Sequence, residues 1–139
     1  MIHRFELRTS AKTDFLEITS LVQQAVETSK VEEGICYVFV PHTTAAVTIN
    51  ENADRHVSAD VGTGLSHIVP AHERYQHLEG NSPAHIKASL AGTSQVIFVE
   101  SKRLVLGTWQ GIYVIEHRAR SHARKVELHF IGTRQTSAA

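Results

Sequence analysis

The stretch ICYVFVPHTTAAVTIN (35–50) decides the fold class. Its first six residues, Ile35 to Val40, are a continuous apolar run of strand length, rich in β-branched and aromatic side chains, and read as a buried strand. Pro41 has no N–H to give to a ladder, so the strand ends or lies at an edge there. Ala45 to Asn50 then reads as a second strand. If the two pair as a hairpin, His42 lies at one end and Asn50-Glu51-Asn52 toward the other. Eight extended residues span roughly 26 Å, so the two polar groups cannot share a site within one simple hairpin. They meet only if the chain folds back, or else they serve different parts of the molecule, a second subunit included.

Working outward, Ile2 to Arg8 alternates apolar and polar residues as a half-buried strand does. Thr19 stands where an N-cap belongs, followed by Val22, Ala25, Val26 and Ser29 on one helical face, with Gly34 ending that region. Asp54 is a fair N-cap for a helix carrying Val57, Val61, Leu65 and Ile68, which Gly62 and Gly64 weaken and Pro70 terminates. Pro70 to Gly80 is polar and unpatterned, an ordered surface loop. Ser82-Pro83 opens a third helix and Gly92 stops it. Strands follow at Gln95 to Glu100, Leu104 to Gly107, Gly111 to Glu116 and Lys125 to Ile131. Turns at Ser101-Lys102 and Ala119 to Ala123 would join them as hairpins, and Thr133 to Ala139 reads as a frayed tail. The expectation is a single α+β domain over residues 1–139, with about seven strands and two or three helices.

Composition narrows the function. The 139 residues carry 14 Lys+Arg against 14 Asp+Glu, a formal charge of zero that lacks the electrostatic footprint of a general nucleic-acid binder. No apolar run approaches the ~20 residues of a membrane span, and MIHRFELRTS has no signal-peptide core, which predicts a cytoplasmic chain. The lone Cys36 precludes an internal disulfide. Histidine is the excess: ten, against nine Phe, Tyr and Trp together.

Four segments could carry chemistry. Pro41-His42-Thr43-Thr44 and the downstream Asn50-Glu51-Asn52 form the first. The second, Tyr75 to His85, gathers His77, Glu79, Asn81 and His85 within eleven residues, and its turn at Gly80 could aim both imidazoles at one point. Neutral imidazole is the commonest metal ligand and a ready proton carrier near neutrality, and three His with an open position is one catalytic zinc arrangement. No HExxH, CxxC or Walker spacing accompanies it. In the third, Gly107 and Gly111 bracket Thr108-Trp109-Gln110, which predicts a constrained backbone and offers Trp109 as a stacking face. The fourth is the basic group Arg118, Arg120, Arg124 and Lys125, with Arg103, whose guanidinium forks suit phosphate oxygens. Each has a plainer structural reading: polar loop, packing Trp, solvated strand end.

The segments PHTTAAVTINENAD (41–54), YQHLEGNSPAHIKASLAG (75–92) and RLVLGTWQGIYVIE (103–116) resemble the YjbQ family, also called UPF0047. The resemblance implies an α+β sandwich of mixed β-sheet, a homotrimer, and a secondary thiamine-phosphate synthase activity. The family's polar signature falls on His42, Thr43, Asn50, Glu51, His77, Glu79, Asn81, His85, Lys87, Trp109 and Gln110. The sequence departs from the family at Glu116 to His122, where relatives tend to carry an acidic residue and then Gly-Pro-Arg, and at Arg55, which replaces a usual Pro.

Three functions follow as expectations. The first is a small-molecule transferase at a His-rich site near subunit boundaries. Its catalytic groups are His42, Glu51, His77, Glu79, Asn81 and His85, and Thr43, Asn50, Lys87, Arg103, Trp109 and Gln110 hold a substrate, phosphorylated if the synthase reaction applies. That reaction joins a pyrimidine diphosphate to a thiazole phosphate and releases pyrophosphate, whose charge needs a divalent metal or Lys87 and Arg103. Magnesium would suit Glu51 and Glu79. The second is a hydrolase with zinc on His42, His77 and His85. The third is a binding or assembly protein whose polar residues satisfy contacts between subunits. No membrane or nucleic acid is expected as a partner.

Overall fold

Pro41 ends one strand and starts a crossing between sheets. In the computed structural model, which describes residues 2–9, 14–71, 74–77, 80–118 and 122–134, the two strands of the 35–50 stretch belong to different sheets. They do not pair as a hairpin, so the two ends of the stretch serve different parts of the molecule. The described elements run β1 (Ile2–Arg8), β2 (Asp14–Glu17), α1 (Thr19–Ser29), β3 (Val31–Phe39), β4 (Ala45–Glu51), α2 (Arg55–Ile68), α3 (Ser82–Ala91), β5 (Ser94–Glu100), β6 (Arg103–Leu104), β7 (Gln110–Glu116) and β8 (Ala123–Arg134). A five-stranded sheet has the order β1-β8-β3-β5-β6 and a three-stranded sheet the order β2-β7-β4, with every pairing antiparallel. The expected α+β class holds.

Alternation supplies the core. Cys36 and Val38 of β3, Ile97 and Val99 of β5, and Val126, Leu128 and Phe130 of β8 point inward from the large sheet. Ala45 and Val47 of β4 and Ile112 and Val114 of β7 meet them from the small sheet, and Val22 and Val26 of α1 join the same cluster. The opposite face of the small sheet packs on helices, with α2 and α3 both against β4.

Several local expectations change for physical reasons. Thr19 is the first residue of α1 rather than its cap; its hydroxyl donates to Glu17 (2.8 Å) and accepts from the Ile112 N–H (2.9 Å), tying β2, α1 and β7 together. The helix ends at Lys30, in the left-handed region at φ 63°, not at Gly34. Gly34 lies inside β3, where its backbone passes against Ile131 and Gly132 of β8 so closely that a Cβ would overlap the Ile131 carbonyl. Asp54 caps α2 as expected, accepting from the His56 N–H at 2.9 Å. Asn81 rather than Ser82 precedes α3, without a side-chain cap, and Gly92 closes that helix at φ 90°. The Ser101-Lys102 turn joins β5 to β6, with both residues at positive φ (49° and 64°), but β6 is only Arg103–Leu104. β7 and β8 lie in different sheets, so no hairpin joins them.

Candidate functional site

The short strand β4 separates the predicted residues into two groups. At its far end, Asn50 pairs in register with Gly111 and Glu51 with Gln110, and the Asn52 N–H donates to the Trp109 carbonyl (2.9 Å). Two of the sequence motifs therefore meet there. Glu17 joins them: its Oε2 accepts from Asn52 Nδ2 (2.9 Å) and from Thr19. Gly111 is constrained as expected, since a Cβ would stand 2.7 Å from Glu17 Oε2 and 2.8 Å from Asn52 Cβ. Gly107 is not comparably held; its added Cβ would meet only the Gln110 side chain, at 3.3 Å. Gln110 Oε1 accepts from the Gly107 N–H at 2.8 Å, closing the turn and leaving Trp109 63% exposed at its tip. Sequence reasoning missed Glu17 and Thr19, which carry no motif and reach the group only through β2–β7 pairing.

The near end of β4 holds a buried polar group. Glu116 is fully buried and accepts from Arg124 Nη2 (2.5 Å) and Nε (2.6 Å), from Thr9 Oγ1 (3.0 Å) and from the Arg118 N–H (2.9 Å). Arg124 also donates to Thr44 Oγ1 at 2.8 Å. Burial alone would raise the Glu116 pKa; the hydrogen bonds from Arg124, the Arg118 amide and Thr9, with the Arg124 charge, outweigh it and hold the carboxyl below its usual value. Arg124 is thus committed to an ion pair and not to a ligand anion.

His42 stands beside this pair. Its Nε2 accepts from the Lys125 N–H at 2.8 Å, which places the ring proton on Nδ1. Burial, then the nearby Arg124 charge, keep the imidazole neutral by lowering its pKa. His117 is more deeply placed, 6% exposed, and burial followed by the Lys87 charge lowers its pKa to about 4. Its signal, an ionisable residue directly after a buried strand, is visible only once that strand is known to be interior.

The third group lies at the first turns of α3 and in the segment before it. His77 and His85 meet edge to face, with ring centroids 5.0 Å apart and planes at 76°. Together with Tyr75, Gln76, Ser82 and Ile86 they line a cavity of about 370 Å³. Tyr75 is anchored there by donating to the Pro70 carbonyl at 2.6 Å. Asn81 Oδ1 is buried with no donor among the described residues. Glu79 and Arg120 lie outside the described residues. Lys87 is inward-facing and 9% exposed, donating to Ser66 Oγ at 3.2 Å, while Arg103 and Thr43 are exposed at other places on the surface.

The expected three-histidine metal set is not assembled within one chain. No group of three or more His, Cys, Asp or Glu able to hold a metal ion occurs among the described residues. His77 and His85 come together without His42, one donor short of a catalytic zinc site, and Glu51 lies with Gln110 at the far end of β4. Among the described residues, the donor set of a single chain does not fit a resident zinc ion.

A model of the UPF0047 protein YjbQ-like family matches residues 3–133. The chain belongs to the YjbQ/UPF0047 family. A UPF0047 protein of Methanocaldococcus jannaschii is 46% identical, the match covering 84% of each chain, and Bacillus subtilis YugU is 40% identical over 84% of this chain and 89% of its own. The crystal structure of a YjbQ/UPF0047 family protein from Clostridium acetobutylicum superposes with a TM-score of 0.90 at 49% identity, covering 93% of this chain and 99% of that one. A YbjQ-like protein of unknown function from Sulfolobus solfataricus superposes with a TM-score of 0.87 at 29% identity, covering 96% and 99%. The two-sheet architecture is thus the family fold. No described helix is long and apolar enough to cross a membrane.

Proposed function

We propose that this YjbQ-family chain is a small-molecule enzyme in which His77 and His85 form the proton-transfer pair, with thiamine-phosphate synthase chemistry as a weak secondary activity. The observation that carries the reading is the contact of these two rings on the wall of a cavity large enough for a small metabolite. Paired imidazoles on a cavity wall supply the side chains that general acid–base work most often uses. Tyr75, Gln76 and Ser82 add further polar groups to the wall, and Ile86 an apolar one.

Self-association belongs to the same reading. The outer face of the large sheet exposes Tyr37 and Phe39 of β3, Val96 and Phe98 of β5 and Ile131 of β8. Tyr37 is in register with Val96, and Ile35 with both Phe98 and Ile131, so these side chains form one continuous apolar patch. Such a patch is a burden on an isolated monomer, and further copies of the chain are its occupant in a homotrimer. A neighbouring copy is also the route by which His42 could complete a zinc or magnesium set with His77 and His85.

The test is pyrophosphate release from a pyrimidine diphosphate and a thiazole phosphate, measured on untagged protein of verified oligomeric mass. Metal content is measured on the same samples. His77→Ala and His85→Ala should each remove most activity, and the double variant little more, because groups that act as a unit are non-additive. Independent, additive losses would refute the pair. A monomer mass at micromolar concentration would refute the trimer.

A further inference from the structure

On the inner side of α3, two positions after His85 and therefore roughly 200° around the helix axis, Lys87 turns away from the paired imidazoles. It enters the layer between the small sheet and helices α2 and α3, where it is 9% exposed and donates to Ser66 Oγ at 3.2 Å. Ser66 lines a cavity of about 410 Å³ whose wall is one face of α2, with Ser58, Gly62, Thr63 and His67, closed by Phe15 of β2.

His117 reaches the same layer from the sheet side. Ile112 and Val114 of β7 face the main core, so the alternate residues of that strand face the helices. His117 follows β7 directly, its N–H donating to the Thr44 carbonyl at 3.1 Å. The Lys87 charge acts on the His117 ring more strongly than that of its own neighbour Glu116 or that of Arg124.

The ring is only 6% exposed, yet neither Nδ1 nor Nε2 has a hydrogen-bond partner among the described residues. Whichever tautomer is present, one of these atoms is a buried N–H and the other a buried lone pair. An unmet buried donor is among the costlier defects a fold can carry. The Lys87 ammonium meets this hydroxyl-faced cavity through Ser66, and with the unpartnered His117 ring on the helix side of the small sheet it makes up a donor set suited to an oxyanion.

We propose that the layer between the small sheet and helices α2 and α3 contains a binding site for a phosphate or phosphomonoester group, with Lys87 and a ring N–H of His117 as its donors and the Ser66 face of α2 as its approach. This site lies on the other side of α3 from the His77/His85 cavity and does not rest on the function proposed for that pair. Arg124, closed onto Glu116, takes no part in it.

The experiment titrates the intact protein with inorganic phosphate and with methyl phosphate, at ionic strength balanced with chloride, following thermal unfolding and the His117 ring nitrogen resonances. Saturable binding that raises Tm and shifts the His117 resonances is expected, with a Kd of about 1 mM or tighter. Lys87→Met should weaken it by about tenfold or more, since a charge-assisted donor is lost. Methyl phosphate binding at least as tightly as inorganic phosphate assigns the site to a monoester, and binding of inorganic phosphate alone assigns it to the free anion. The proposal is overturned if the His117 resonances of the wild-type protein stay unmoved by both anions, a readout that does not depend on any variant folding. It is also overturned if folded Lys87→Met binds as tightly as wild type.

Discussion

Removing Arg124 should be far more damaging than removing Arg124 and Glu116 together. Arg124→Met would strand a fully buried carboxylate with, among the described residues, the Thr9 hydroxyl and the Arg118 amide. Loss of one partner of a buried pair costs about 3–5 kcal/mol, a large part of the roughly 5–15 kcal/mol that keeps a domain folded. Glu116→Leu makes the mirror-image error, leaving the guanidinium with Thr44 alone. In the double variant both charges are gone and two apolar side chains fill the same space, which brings stability back to within about 1–2 kcal/mol of wild type or above it. Denaturant unfolding at one fixed protein concentration measures all four corners of the cycle, because self-association would otherwise shift the midpoints. A coupling of about 3 kcal/mol or more is expected. Single losses below about 1 kcal/mol that simply add would show the pair to be well solvated and the reasoning wrong. The acid limb gives an independent check. The Glu116 pKa is held below the ordinary carboxylate value of 4.5 in the folded protein, so its contribution is complete above that value and is lost as pH falls through the lower folded pKa.

His117 acts in the same direction over a higher range. Its folded pKa is about 4 against 6.5 for the free group, so the unfolded chain takes up the proton first and stability should fall by about 3 kcal/mol as pH drops from 6.5 to 4. His117→Phe should flatten that limb in denaturant titrations, and an unchanged limb would assign it to other groups. Gly111→Ala should destabilise by about 1–3 kcal/mol through its contacts with Glu17 and Asn52, and Gly34→Ala by more, because its obstacle is backbone. Gly107→Ala should be nearly neutral, and equal losses at all three positions by thermal unfolding would contradict these contacts. Asp54→Ala should cost about 1 kcal/mol by removing the cap on α2, and an unchanged denaturation midpoint would show that cap to be idle.

Local pattern determined much of this protein. The alternation of Ile2 to Arg8, the apolar run through Val38, the Asp54 cap and the Gly92 stop each express a preference confined to neighbouring residues, and each stands in the fold as read. The nearness of His77 and His85 was also legible, because a short turn before a helix start leaves few ways to separate them. Sheet membership was not. Pro41 signals that a ladder ends but cannot say whether the chain turns back or crosses to a second sheet, since that depends on which far strand, β8 or β7, takes the freed edge. The same long-range pairing set Glu17 beside Asn52 and locked Arg124 onto Glu116. It also carried His117 from an unremarkable position in the sequence into a layer where its ring has no partner among the described residues. Secondary structure follows from energies summed over a few adjacent residues. The polar groups at the near end of β4 were brought together by contacts across eighty positions or more, between Arg124 and Thr44 for one, and only the packed tertiary structure chooses those.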